Sequence, residues 1–376
     1  MTLMFSKRLS LLLLGVTACL AAPQDATIQG GGSRPIIIRN LARPRYFGTA
    51  ANTTFLYNDQ AYTQIISTQF SMMTPENDSM NFLKWENIEP QQNVFNFTGG
   101  DEIVRFAKSV NARVRGHTFE WQVYELLDSS SLSKRLIMKA RGNQLAPWVN
   151  DSLTATQLDR ALENHIKTVL NHYRGQLYAF DVINEMISDN TPNETFKDNI
   201  WTRKFGEIAM PKALQYARET DKNIKIYIND YGTEGINSKS DTLYSVVQGF
   251  IRDGVPVDGI GFQCHFYLGQ VPTTIAENMQ RFADLGLDVA VTEVDINMRG
   301  PENETALAQQ AQDYWTIVNA CVSTNRCVGV TIWGVSDDHS WLPNGNVLPW
   351  NAQKQPKPAF YAIADAFQGK PIPSPA

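Results

Sequence analysis

Short apolar runs and longer stretches of helical spacing alternate along most of the chain. Leu177-Tyr-Ala-Phe-Asp-Val-Ile-Asn-Glu185 is a run of apolar, aromatic and β-branched residues that stops at an amide and a carboxylate. Leu287-Asp-Val-Ala-Val-Thr-Glu293 repeats that design. The same reading predicts strands at Tyr46–Ala50, Ile65–Met73, Ala112–Thr118, Ile224–Asp230, Val257–His265 and Val328–Gly334. Helical spacing covers Asp101–Val110, Ser152–Tyr173 (with Thr154 as cap), Trp201–Thr220, Asp241–Asp253, Ile275–Leu285 and Thr305–Ser323, and Lys357–Phe367 supplies a closing helix. Strand and helix alternate to a count of eight. The strands read as continuous apolar runs, the signature of parallel strands covered on both faces. The fold expected is an α/β (β/α)8 TIM barrel in a single domain.

In such a barrel, active sites lie at the C-terminal ends of the strands. Polar residues gather at those ends: Glu76 and Asn77, His117, Asn184 and Glu185, Asn229 and Asp230, Gln263 and His265, Glu293 and Asp295, then Trp333. Stability alone gives no reason to place so many polar groups on one rim, so the pattern points to an enzyme. A carboxyl set where an apolar strand stops lies beside low-dielectric packing, which favours its protonated form. Two such carboxyls, one from the fourth strand and one from the seventh, would face one cleft.

The 376 residues are 43% hydrophobic and 19% charged, ordinary globular values for one large core. A net charge of −5 without a long basic run gives no support to a nucleic-acid partner. Lys7 and Arg8, the apolar run Leu9–Leu20 and then Ala21 and Ala22 have the layout of a secretory signal peptide. The run is too short to span a membrane. The expected organisation is a signal peptide over 1–22, a flexible lead-in over 23–42, the barrel over 43–370 and a short tail over 371–376. The product would be a secreted, extracellular monomer with no membrane partner. Val16-Thr-Ala-Cys19 also resembles a bacterial lipobox, a reading placed below simple secretion.

Asn-x-Ser/Thr sequons at Asn52, Asn96, Asn150, Asn193 and Asn303 are glycosylation candidates. A sixth, at Asn77, is expected to stay unmodified, because a glycan there would block the cleft. Cys321 and Cys327 flank a polar Ser-Thr-Asn-Arg turn, which predicts a local disulfide in an oxidising compartment. Cys264 is expected to be a buried free thiol.

No phosphate-cradling glycine loop or dinucleotide fingerprint occurs, and no cofactor is expected. A metal held by His117, His265 and the carboxylates is conceivable, but the spacings of metal-binding helices are absent and no metal is expected. Aromatic rings beside paired carboxylates suit a sugar, and paired carboxylates are the machinery of glycoside hydrolysis.

Several motifs carry a resemblance: Thr74-Pro-Glu-Asn77; Lys84-Trp85 with Glu89-Pro90; Arg115-Gly-His-Thr118 with Trp121; and Asp181-Val-Ile-Asn-Glu185. Tyr227-Ile-Asn-Asp-Tyr231, Gly259-Ile-Gly-Phe-Gln-Cys-His265, Thr292-Glu-Val-Asp295 and Trp333-Gly-Val with Ser340-Trp341 follow in order. Together they resemble glycoside hydrolase family 10, the retaining endo-1,4-β-xylanases. The resemblance implies that Glu185 is the general acid/base and Glu293 the nucleophile, with carboxyls about 5–5.5 Å apart. It implies that Asn184 bonds the sugar 2-hydroxyl and that His265 bonds Glu293, with Asp295 orienting that histidine. Gln263 would lie near the acid/base. Glu76, Asn77, Lys84, His117 and Trp121 would bind the glycone side, and Trp333 and Trp341 would wall it. Trp341 would crowd the C5 position and favour xylose over glucose, making xylan the expected substrate.

Three features depart from that pattern. The segment between Asn77 and Lys84 is longer than usual, which leaves the placement of Lys84 open. Gln122 stands where the family has histidine. Pro147-Trp148 arrives 26 positions after Trp121, after an insertion carrying Lys134, Arg135, Lys139 and Arg141. Those cations would contact acidic substituents on a decorated xylan, or else lie on a solvated surface loop. His165 and His172 are expected to be surface or packing residues, whereas His339 could line the cleft. Two alternatives stay open: the same chemistry on another β-glycoside, and a catalytically dead barrel that binds carbohydrate.

Overall fold

The structure, a computed structural model, describes residues 35–76, 84–121 and 145–372. Asn77, Gln122, the basic residues of the insertion, the leader with Cys19 and the last four residues lie outside the described residues.

Strands β1 (Tyr46–Ala51), β2 (Met72–Pro75), β3 (Arg113–Glu120), β4 (Ala179–Asn184), β5 (Lys225–Asp230) and β6 (Gly259–Phe262) pair in parallel and in sequence. Strand β6 then pairs with β8 (Asp288–Asn297), β8 with β9 (Cys327–Ile332), and β9 with β1, closing a barrel of eight parallel strands. A three-residue strand, β7 (His265–Tyr267), continues β6 past a bend and pairs with the far end of β8, so that His265 lies opposite Asp295. The bend is at Gln263–Cys264, where Cys264 has φ 64°. The free thiol of Cys264 is buried, as expected.

Helices lie between the strands, and several begin on side-chain caps. Over Ala155–His172 (α6), Thr154 and Gln157 form a capping box, each side chain bonding the other's backbone. Ser238–Arg252 (α9) starts on Asn237 and Glu304–Ser323 (α11) on Asn303, whose side chains accept from backbone amides of the first turn. The Cys321–Cys327 disulfide forms, with its Cα atoms 5.3 Å apart, and ties the end of α11 to the start of β9. Among the described residues no helix is long and apolar enough to cross a membrane.

Two expectations need correcting. Ile65–Gln69 is not strand but the second half of a helix, Gln60–Gln69 (α3). Its β-branched pair reads locally as strand, yet Tyr62 and Ile66 are four apart and bury one face, and Asp59 caps the first turn. The folded unit also begins before residue 43. Ile38–Leu41 (α1) is helical, Ile38 is fully buried, and the Ile38 amide donates to Gln69 Oε1 at 2.9 Å.

Inside the barrel, beneath the mouth, Arg115 and Asp181 form a buried ion pair, with Nε 3.0 Å from both carboxylate oxygens. The guanidinium stacks 4.3 Å from the Tyr227 ring centroid. Burial alone would raise the Asp181 carboxyl, but Arg115 and His117 hold it below its ordinary value. Asp181 in turn accepts from or pairs with His117 Nδ1 at 2.9 Å and so fixes that ring toward the mouth.

Candidate active site

Strand β4 brings Asn184 and Glu185 to the rim. Glu185 has φ 58°, a left-handed conformation that costs a non-glycine residue about 1–2 kcal/mol. Its amide donates to Asn229 O at 2.8 Å, which helps hold the turn. Gln263 Nε2 donates to Glu185 Oε1 at 3.2 Å, Asn184 Nδ2 lies 3.3 Å from the same oxygen, and Lys197 Nζ lies 3.4 Å from Oε2. Glu185 is partly open, with 19% of its side chain exposed.

Strand β8 presents Glu293, which is buried. Asn229 Nδ2 donates to Oε1 at 2.7 Å, His265 Nε2 contacts Oε2 at 3.2 Å, and His117 Nε2 lies 4.0 Å from Oε1. Burial would raise this carboxyl, but the His265 bond and the facing His117, His265 and Lys84 hold it below its ordinary value. The His265 ring is itself held by Asp295, whose Oδ2 lies 3.0 Å from Nδ1 in a close ion contact rather than an aligned hydrogen bond. Burial alone would lower the imidazole pKa, but Asp295 and Glu293 push it up to about 10. Trp341 Nε1 donates to that same Asp295 oxygen at 2.8 Å, which ties the Trp341 ring to the support of Glu293. The chain Trp341–Asp295–His265–Glu293 therefore keeps a carboxylate ionised in a low-dielectric pocket.

Of the residues expected on the glycone side, Lys84, His117 and Trp121 come together with Trp333. Trp333 is buried, its ring edge-on to His117 at 5.6 Å and to His265 at 6.4 Å. Trp121 is 6.1 Å from His117. Lys84, whose place the sequence left open, is buried with Nζ 4.6 Å over the Trp121 ring and no hydrogen-bond partner among the described residues. Burial pushes its ammonium down to about 7 against the pull of Glu293, Asp181 and Glu185. Lys84 precedes a short helix, Trp85–Ile88 (α4), anchored from behind. Trp85 Nε1 and His165 Nδ1 both bind Glu89 Oε2, at 3.0 and 2.8 Å. His165 is thus a packing residue. Glu76 is buried at the end of β2.

The sequence named Asn229 on the rim but gave it no role. In the structure it joins the two carboxyl systems, donating 2.8 Å to Asn184 Oδ1 as well as to Glu293, and accepting from Thr292 Oγ1 at 2.7 Å. Gly261 makes room for it: a Cβ there would stand 2.3 Å from Asn229 Oδ1. The available signal was the ending of the fifth strand in Asn229-Asp230, the same apolar-run-then-polar design as the fourth. Lys197 was missed altogether, since it lies in a loop without periodicity.

Other expectations fall elsewhere. His339, which could line the cleft, joins a cluster of its own. It stacks 3.7 Å from Phe55 and bonds Asp59 at 2.8 Å, and Lys354 supplies a positive charge to that acidic group, 2.9 Å from Asp59. His172 packs on Phe97 and pairs with Asp101 at 2.7 Å. Asn52 is a poor glycan site: it is buried, and its Oδ1 caps Thr53–Asn58 (α2). Asn96, Asn150, Asn193 and Asn303 are exposed.

Residues 38–366 match the family model described as glycosyl hydrolase family 10. Endo-1,4-beta-xylanase A of Phanerodontia chrysosporium is 39% identical over 349 residues, covering 90% of this chain and 79% of the relative. The crystal structure of a glycosylated endo-beta-1,4-xylanase from Gloeophyllum trabeum, 39% identical, aligns over 88% of this chain and 98% of that one with a TM-score of 0.77. Xylanase 10B from Thermotoga petrophila RKU-1, solved in complex with xylobiose, is 31% identical and covers 90% of this chain and 99% of its own, with a TM-score of 0.79. With its closed eight-stranded barrel and its glutamates just past the end of β4 and on β8, the chain belongs to glycosyl hydrolase family 10.

Proposed function

We propose that the protein is an endo-1,4-β-xylanase that cuts internal bonds of xylan by double displacement, with Glu293 as nucleophile and Glu185 as acid/base. The observation that carries this reading is the unequal treatment of the two glutamates. Glu293 is enclosed by Asn229, His265 and His117 and held in its charged form. Glu185 touches neutral amides on one oxygen and the Lys197 ammonium at 3.4 Å on the other, and it stays partly open to the cleft. A site that needs one constant carboxylate and one proton carrier is built this way.

In the first step a Glu293 oxygen bonds to the anomeric carbon as the bond to the leaving sugar breaks, and the Glu185 proton passes to the leaving oxygen. In the second, Glu185 takes a proton from water, whose oxygen displaces Glu293 from the sugar. Asn184, fixed by Asn229, would bond the sugar 2-hydroxyl. His117, Lys84, Trp121 and Glu76 would hold the glycone, with Trp333 and Trp341 as its walls. The signal-like leader, the disulfide and the exposed sequons support a secreted protein. Product analysis on xylan, cellulose and aryl xylosides, beside Glu293→Ala, tests the reading. Xylo-oligosaccharides from xylan alone, and a loss of at least about a thousandfold in the variant, are expected. Preferential release from cellulose would move the substrate to another β-glycoside, and no release from any of them would favour a binding protein.

A further inference from the structure

The two oxygens of Glu185 have different neighbours. Oε1 faces Gln263 and Asn184, whereas Oε2 faces Lys197 Nζ at 3.4 Å. Lys197 lies in the segment between β4 and the helix Ile200–Phe205 (α7), and its side chain is only 15% exposed. The ammonium donates to Tyr231 Oη at 3.1 Å, rides 4.4 Å from that ring's centroid and lies 4.0 Å from Asp189. Tyr231 donates to Asp189, and Lys239 binds Asp189 at 2.7 Å from the other side. Lys197 is therefore anchored by groups other than Glu185 and stays in place when the charge on Glu185 changes.

We propose that Lys197 is a positioning residue that acts oppositely on the two steps, favouring formation of the glycosyl-enzyme and opposing its hydrolysis. The inference rests on the reading of Glu185 as acid/base. When the Glu185 proton moves to the glycosidic oxygen, negative charge develops on the carboxyl, and an anchored cation 3.4 Å away stabilises it. When Glu185 takes the water proton in the second step, that charge is lost and the same cation disfavours the transfer. A partner of structural importance only would slow both steps alike.

The test uses Lys197→Met, Lys197→Gln and Lys197→Arg with two aryl xylobiosides. A phenyl leaving group needs its oxygen protonated, whereas a dinitrophenyl group does not and makes the second step rate-limiting. In the Met and Gln variants, kcat/KM on the phenyl substrate should fall about tenfold, the scale of one charge-assisted hydrogen bond. On the dinitrophenyl substrate kcat/KM should stay within about twofold and kcat should hold or rise. The Arg variant should restore the phenyl substrate. Equal losses on both substrates, or no loss on the phenyl one, would overturn the proposal. Glu185→Ala assayed with added azide keeps the two readings apart. Formation of a β-xylosyl azide supports the acid/base assignment whatever Lys197 does, and its absence overturns both.

Discussion

Replacing Asn229 with alanine probes the connection between the two carboxyl systems. The side chain is fully buried and donates to Glu293 Oε1 at 2.7 Å and to Asn184 Oδ1 at 2.8 Å, so no bulk water reaches either bond. A hydrogen bond to a charged group contributes about 1.5–3 kcal/mol and a neutral one about 0.5–1.5 kcal/mol. The two share one network and do not add fully, which gives about 2–4 kcal/mol for the pair. If the network matters most when charge moves at Glu293 and the 2-hydroxyl bond tightens, kcat/KM falls roughly 30- to 1000-fold. Steady-state hydrolysis of an aryl xylobioside, beside a thermal melt of each variant, measures this. Thr292→Val is the control, because it removes only the donor to Asn229 Oδ1 and should cost about tenfold or less. A folded Asn229→Ala protein that keeps kcat/KM within about threefold of the parent would show that Asn229 does not couple the two carboxyl systems.

Four further outcomes follow from the structure. Glu293 must be ionised to attack, and its lowered pKa means activity is present above that value and lost as pH falls through it. His265→Asn removes the chief lowering partner, so the acid limb of the kcat/KM profile should move to higher pH, and an unmoved limb would contradict the assignment. The His265 pKa, raised from 6.5 to about 10, adds stability that is whole below 6.5 and lost as pH rises through about 10. Chemical denaturation from pH 7 to 10 should show the parent losing more stability than His265→Asn. Trp341→Ala should narrow the preference for aryl xylobioside over aryl cellobioside by about tenfold, the scale of excluding one hydroxymethyl group, and a constant ratio would remove Trp341 from substrate choice. The Cys321–Cys327 bridge spans a sequence separation of 6, so a Cys321→Ser/Cys327→Ser double variant should lose about 2 kcal/mol. Calorimetry should show a Tm lower by about 2–5 °C, and an unchanged Tm would show that the bridge does not constrain the unfolded chain.

The barrel was legible because parallel strands buried on both faces leave largely apolar runs without strict alternation, as in Ala179–Asn184 and Asp288–Asn297. The reading failed where that rule loses its grip. Ile65 and Ile66 favour strand one residue at a time, but the capped helix around them buries Tyr62 and Ile66 together. The Val257–His265 run hid a bend, because nothing in its composition marks Cys264 for a left-handed conformation. The glutamates were visible as carboxylates ending strands. Their supports were not, since Asn229 meets residues 45 and 64 positions away and Lys197 reaches Glu185 from a loop. Which amide faces which carboxyl is set by strand register, and register emerges only when the barrel closes.

Closure also explains why the site works. Arg115 and Asp181 fill the barrel beneath the mouth and hold His117, while the β7–β8 pairing sets His265 opposite Asp295. On the proposed mechanism Glu293 bonds to the anomeric carbon of the sugar. Incubation with a 2-deoxy-2-fluoro aryl xylobioside, followed by proteolysis and mass spectrometry, measures this directly. A single stable adduct on Glu293, absent from Glu293→Ala, is the predicted result. An adduct on another residue, or prompt hydrolysis with no adduct and inverted product, would contradict it.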